Sequence, residues 1–349
     1  MKQGRSLVEL AEEIMRQAAT KRDLVADTRR VAMTEDGMLE VGVNGKAEAF
    51  PLKDLAHSQL ATKLSIPKVY YDRLRGQYPE ALAYNVNNLL HSEPDRWLIR
   101  VLDEQVRALL SDKYHPLENF DLAKAVLPVI GDRHLEIMSC QVTDRCLYIK
   151  AVDPSIQANI PTGARMGDGS HHIFDTLSPA IVITNSEVGA RSLSIQTAVW
   201  TKACTNLAVF AERSIRKYHV GARANNDMGE AVHELLSDRT RQLKDAATWS
   251  AVRDVVAGAF DQARFDAHVA AITATTEQQI TGDPAKTIEL TAKRFDLTDG
   301  EQGSVLRHLI EGGDLTRYGV FSAITRSAED VESYDRASVV ERVGGELIE

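Results

Sequence analysis

Trp97-Leu98-Ile99-Arg100-Val101-Leu102, Asp103-Glu104-Gln105, Val106-Arg107-Ala108-Leu109-Leu110 is the stretch on which the fold reading turns. Two mainly apolar runs, one on each side of three polar residues, predict two strands and a hairpin. Upstream, Leu52, Leu55, Leu60, Leu64, Tyr70 and Leu74 fall at roughly helical spacing. They predict two helices, about 53–64 and 67–76, parted by a turn at Ser65-Ile66, with Pro67 at the first helical position of the second. A third helix follows Pro79, through Asn85, Asn87 and Leu90. Nearer the start, Arg29–Met33 and Met38–Val43 read as strands around Thr34-Glu35-Asp36-Gly37, an Asp-Gly turn signal. Leu7, Leu10, Ala11, Ile14 and Met15 outline an amphipathic helix, with Ser6 as its cap and Glu9 three residues later.

Downstream of the hairpin a helix is expected over Asn119–Ile130, then a strand pair at His134–Met138 and Cys146–Lys150. Residues 151–180, rich in Pro, Gly, Asp and Ser, read as a long loop. Ala180–Thr184 and Arg191–Val199 are again strand-like, and helical periodicity dominates beyond Asn225. The expected class is α+β: a mixed N-terminal region (1–95), a β-rich central sheet (96–223) and an acidic helical C-terminal region (224–349).

The composition, 44% hydrophobic and 26% charged over 349 residues, excludes collagen-like, coiled-coil and wholly disordered chains. The net charge of −9 is unevenly spread: −3 over residues 1–183, +4 over 184–223 and −10 over 224–349. The acidic total therefore leaves room for a polyanionic partner. No run of apolar residues is long enough for a membrane span. Met1–Thr20 lacks the pattern of a secretory signal. Three cysteines form no disulfide framework, so a reducing, cytoplasmic setting is expected.

The basic central segment carries the sharpest functional pattern. Arg191, Lys202, Arg213, Arg216, Lys217 and Arg223 are interleaved with Trp200, Tyr218 and His219. Phosphates need cations and bases need flat faces, so this is a candidate nucleic-acid-binding set. The plainer reading is a solvated basic face with Trp200 in the core. Ser58 to Val69 resembles the core of a helix-turn-helix, whose second helix would present Lys68, Tyr71, Arg73 and Arg75; as a packing unit it would do the same locally. His171 and His172, near Asp168 and Asp175, have metal-ligating chemistry, although a solvated loop cluster explains them as well. Cys140 and Cys146 stand too far apart for a zinc knuckle, and Cys204 reads as a lone thiol. No phosphate-binding loop, dinucleotide fingerprint or nucleophile elbow is present. The reading includes no catalytic residue, no metal and no cofactor.

Four short segments, in order, resemble the phage- and plasmid-related proteins grouped as domain of unknown function 932. They are Leu110-Ser111-Asp112-Lys113-Tyr114-His115-Pro116-Leu117-Glu118-Asn119, Asn185-Ser186-Glu187-Val188-Gly189, Ala203-Cys204-Thr205-Asn206-Leu207 and Tyr318-Gly319-Val320-Phe321-Ser322-Ala323-Ile324-Thr325, the last followed by Asp330. Leu207 stands where the family pattern has a glycine. The resemblance implies a setting in mobile genetic elements and assigns no catalytic residue. A β-rich core with a basic groove is also similar, at fold level, to ring-forming single-strand-annealing proteins.

These readings lead to a nucleic-acid-binding protein of phage or plasmid DNA metabolism, in single-strand binding or annealing, acting as a homo-oligomer. The alternative is a protein-interaction module of host-defence or DNA-mimic type, working through its acidic third. A metal-dependent enzyme at His171, His172 and Asp175 is the third reading. No membrane partner is expected.

Overall fold

Ser6 caps the first helix as expected: its hydroxyl accepts the Glu9 N–H, and the Glu9 carboxylate accepts the Ser6 N–H. The computed structural model describes residues 1–43, 45–165, 172–202, 206–210, 215–217 and 238–348. Helix α1 (Leu7–Thr20) leads into β1 (Arg22–Asp27), a 3₁₀ turn (Thr28–Arg30), and the antiparallel meander β2 (Val31–Met33), β3 (Leu39–Val43) and β4 (Lys46–Phe50). Three helices follow, α2 (Asp54–Lys63), α3 (Lys68–Gln77) and α4 (Pro79–Ser92), then β5 (Arg96–Leu102) and β6 (Gln105–Ser111).

The β5–β6 hairpin closes on two residues, Asp103 and Glu104, both at positive φ. That is the backbone a tight two-residue turn requires, so Gln105 belongs to β6. The expected boundary at 95/96 falls inside a sheet, because β1 pairs with β5 along Arg22↔Val101 to Asp27↔Arg96. Ile99, Val101, Val106 and Leu109 share a buried core with α2, α4 and the β2–β4 meander, including Leu60, Val86 and Leu90. In the helix-turn-helix lookalike Pro67 is the cap of α3, not its first residue. Tyr71 is fully buried, its hydroxyl 2.8 Å from His57 Nδ1. Lys68 pairs with Asp72 and Arg75 with Asp54. The unit is thus packed through the tyrosine that DNA docking would have needed.

Beyond α5 (Asn119–Asp132) lies the central antiparallel sheet, in the order β12-β11-β10-β8-β7, with β9 on β10 and β13 on β11. Its strands are β7 (Glu136–Val142), β8 (Leu147–Val152), β9 (Ala158–Arg165), β10 (His172–Asn185), β11 (Leu193–Thr201), β12 (Asn206–Val209) and β13 (Ile215–Lys217). Among the described residues six helices follow: α6 (Asp238–Gly258), α7 (Gln262–Thr276), α8 (Pro284–Arg294), α9 (Asp299–Gly312), α10 (Arg317–Ser327) and α11 (Tyr334–Glu346). The architecture is α+β, with antiparallel sheets and helices concentrated in the C-terminal part.

Strand β8 shows how the sheet is covered on both faces. Leu147, Ile149 and Ala151 join Ile181, Ile183 and Ile195 against α1, α5 and α6, through Leu10, Val126 and Val256. Tyr148 and Lys150 point the other way, to Tyr334 and Glu341 of α11. Strict alternation along an extended chain produces the two layers.

The loop expected over 151–180 is replaced by β9 and the first half of β10. Patterning hid this ribbon because it is only half covered. The outer half of β10 pairs with β9 alone, and Ile173 and Phe174 are exposed. Pro161 fits because β9 is an edge strand, where a missing N–H breaks no sheet ladder.

Candidate functional site

Two of the segments singled out in the sequence meet in a buried polar seam between the β1–β5–β6 sheet and the central sheet. Asn185 Nδ2 donates to the Leu117 carbonyl and to Asn119 Oδ1, at 2.7 and 2.8 Å. Glu187 Oε1 accepts the Asn119 N–H at 2.6 Å. Arg100, fully buried, donates to Asp23, to Glu118 and to the Glu187 carbonyl. Burial works to raise the Glu118 carboxyl, but Arg100, a hydrogen bond from Glu187 and Lys21 together bring it down to about 2. Burial pushes the neighbouring Glu187 up, even with Arg107 beside it. Gln59 joins the seam from α2, accepting the Leu109 N–H and donating to the Val188 carbonyl. Gly189 is at positive φ, and a Cβ there would meet Leu110 at 2.8 Å.

The seam fixes two cations at its edge. Ser186 Oγ donates to the Arg145 carbonyl at 2.7 Å and accepts the Ala190 N–H at 3.0 Å. This staples the β7–β8 turn, which carries Arg145, to the loop that carries Arg191. Arg145 is exposed and Arg191 half-buried. Neither has an acidic partner among the described residues. Arg216 and Lys217 lie on β13 opposite Ser194 and Leu193, so their backbone enters beside the same end of β11.

A cleft of about 590 Å³ opens next to Arg145, lined by Lys53, Gln105, Arg107, Thr143, Ser333 and Asp335 among others. Lys53 pairs with Asp144 at 2.5 Å and Arg107 with Glu187 at 2.8 Å. Asp335 accepts from Thr143 Oγ1 and Tyr148 OH. Lys53, Arg107 and Arg145 were not singled out in the sequence. Arg107 had a signal: a full charge inside the apolar run Val106–Leu110 must be buried with a partner.

The remaining sequence-derived residues divide. Lys202 is exposed just past the far end of β11, its N–H donating to the Thr176 carbonyl. Roughly 26 Å of strand, at ~3.3 Å per residue, parts it from the Arg191 end. Trp200 is half-buried against Val152, Ala180, Val182 and Leu207, in the core position of the plainer reading, with its Nε1 buried and unpartnered among the described residues. Arg213, Tyr218, His219 and Arg223 lie outside the described residues. So do Asp168, His171 and Cys204. Asp175 is buried and accepts the Tyr318 hydroxyl at 2.6 Å. No cluster of metal-ligating side chains occurs among the described residues. Cys140 and Cys146 are free and buried, and burial raises both thiols, Cys146 to about 11. Leu207 sits fully buried in β12 opposite Trp200, so this position is strand rather than a tight turn. Among the described residues no helix is long and apolar enough to cross a membrane.

Comparison with family models, curated proteins and solved structures finds no match for the chain.

Proposed function

We propose that the chain binds nucleic acid, in phage or plasmid DNA metabolism, along a cationic rim formed by Arg145 and Arg191 and continued by Arg216 and Lys217. The observation that carries this reading is the Ser186 staple. It holds two cations without acidic partners on adjacent loops, where a phosphate backbone needs successive positive charges. Cations placed merely for solubility need no buried hydroxyl to set their spacing. The segment that builds the staple, Asn185–Gly189, is one of those on which the resemblance to the phage- and plasmid-related family rests, and that resemblance supplies the setting. Two of the aromatics interleaved with the cations in sequence, Tyr218 and His219, favour single strands; Trp200, packed on the core, takes no part.

The test is fluorescence anisotropy with labelled single- and double-stranded oligonucleotides at increasing salt. Log affinity is expected to fall linearly with log salt, single strands binding tighter. No binding at ~50 mM salt ends this reading.

A further inference from the structure

The cleft beside the rim holds donors that the rim does not use. Arg107 is only 5% exposed. Its Nη1 faces Glu187, while its Nε and Nη2 are buried with no acceptor among the described residues. Buried guanidinium donors left unpaired are costly and call for an explanation. The same cleft receives the N-terminus of α2, ten residues long, whose cap Lys53 contributes no side-chain bond to the first turn. Those first N–H groups have no partner within a helix and favour an anion. The two features adjoin because Lys53 N–H donates to the Val106 carbonyl, one residue from Arg107. The acids of the cleft wall are engaged elsewhere: Asp144 on Lys53, Asp54 on Arg75, Asp335 on two hydroxyls. What remains unmatched is donors, the cation Arg145 and, across the cleft, the charge of Asp335, whose two hydroxyl partners are neutral.

We infer that this cleft binds a phosphate monoester and, resting on the nucleic-acid reading above, that the monoester is the terminal phosphate of a strand whose backbone runs over Arg145 and Arg191. A monoester brings three acceptor oxygens and ~1.5 to 2 negative charges at neutral pH. A diester within a strand has fewer of both. Arg107, Lys53 and the α2 N–H groups match the richer acceptor. The cleft volume of about 590 Å³ also admits a whole terminal nucleotide. A free mononucleotide presents the same chemistry, and the experiment separates the two sources.

Oligonucleotides of about a dozen nucleotides, bearing a 5′-phosphate, a 3′-phosphate or neither, are titrated into the full chain, alongside adenosine monophosphate and inorganic phosphate. One phosphorylated end is expected to bind about tenfold tighter than the unphosphorylated strand. Arg107→Lys keeps the charge facing Glu187 but loses the guanidinium fork. Lys53→Ser removes a cation and supplies a helix cap, which favours folding. Both variants should abolish the end preference and leave the unphosphorylated strand's affinity unchanged. Equal binding of all three strands overturns the inference and spares the proposed function. Binding of adenosine monophosphate that both variants lose, with no strand bound, keeps the cleft as a mononucleotide site and removes the nucleic-acid reading. No preference for any phosphate-bearing probe overturns the inference.

Discussion

Lys150 Nζ of β8 lies 2.5 Å from Glu341 Oε2 of α11, with both side chains almost wholly out of water. Burial would lower the lysine's pKa, but Glu341, and after it the hydroxyl group of Tyr334, keep it raised. Removing one partner leaves a buried, uncompensated charge, so Lys150→Met should cost about 3–5 kcal/mol. Replacing both, Lys150→Met with Glu341→Leu, should cost far less than the two single changes added together. Urea unfolding of the four proteins of the cycle measures this, and simple additivity would contradict it.

Close approach of α11 to β12 depends on Gly345. A Cβ there would lie 1.9 Å from the Val209 carbonyl oxygen, and neither backbone can yield cheaply. Gly345→Ala should destabilise by about 1–3 kcal/mol. Gly303→Ala, inside α9 with open space around the added atom, should instead stabilise by about 0.5–1 kcal/mol. Thermal melts of the two variants should move in opposite directions.

The sequence showed local elements best where one signal dominated. The box of Ser6 and Glu9 marked α1, and the polar break at Asp103 and Glu104 marked the β5–β6 hairpin. β1 escaped because its pattern is weak: only Ala26 is buried. The β9–β10 ribbon escaped because Pro161 and the surrounding polar residues resemble a loop unless the partner strand is known. The site was legible only in part. Arg191 stood out by local charge, but Arg145 and Arg107 become relevant through Ser186 and Glu187, contacts between residues tens of positions apart. Clustering along the chain grouped Lys202 with Arg191, although an extended strand separates them.

Burial lowers the His57 imidazole to about 4, with Arg75 adding to the effect. A histidine whose folded pKa is depressed takes up its proton more readily when unfolded. Its contribution to stability is therefore complete above about pH 6.5 and is lost as pH falls toward about 4. His57→Phe should flatten this part of the stability profile, as read by denaturant unfolding at pH 7 and pH 5. An unchanged slope would rule out His57 as its source.

Neutralising the rim should act on every nucleic-acid sequence alike. Arg145→Gln with Arg191→Gln should reduce the slope of log affinity against log salt by about 2. Lys202→Gln, at the other end of β11, serves as the comparison and should change it least. A larger effect from Lys202 would place the contact elsewhere.

Ser186→Ala removes no charge. It should still weaken nucleic-acid binding, because the turn bearing Arg145 loses its tie to the loop bearing Arg191. The expected stability cost is about 1–3 kcal/mol, since the Arg145 carbonyl and the Ala190 N–H lose their partner. Anisotropy at fixed salt, read beside a melt, separates the two effects. Unaltered affinity in a folded variant would mean that the staple does not position the rim.

Lys2 illustrates a consequence of the chain's layout. Its backbone N–H reaches Glu341, 339 positions later, and its carbonyl accepts the Ser139 hydroxyl. β1 likewise pairs with β5 only after three helices have intervened. During synthesis Leu10 and Ile14 of α1 therefore wait, uncovered, for α5, the central sheet and α6, and β1 waits for β5. Such distant pairings slow folding, because loop closure precedes the contacts that reward it. Until then the apolar stripe of α1 stays open to water, the kind of surface that chaperones cover.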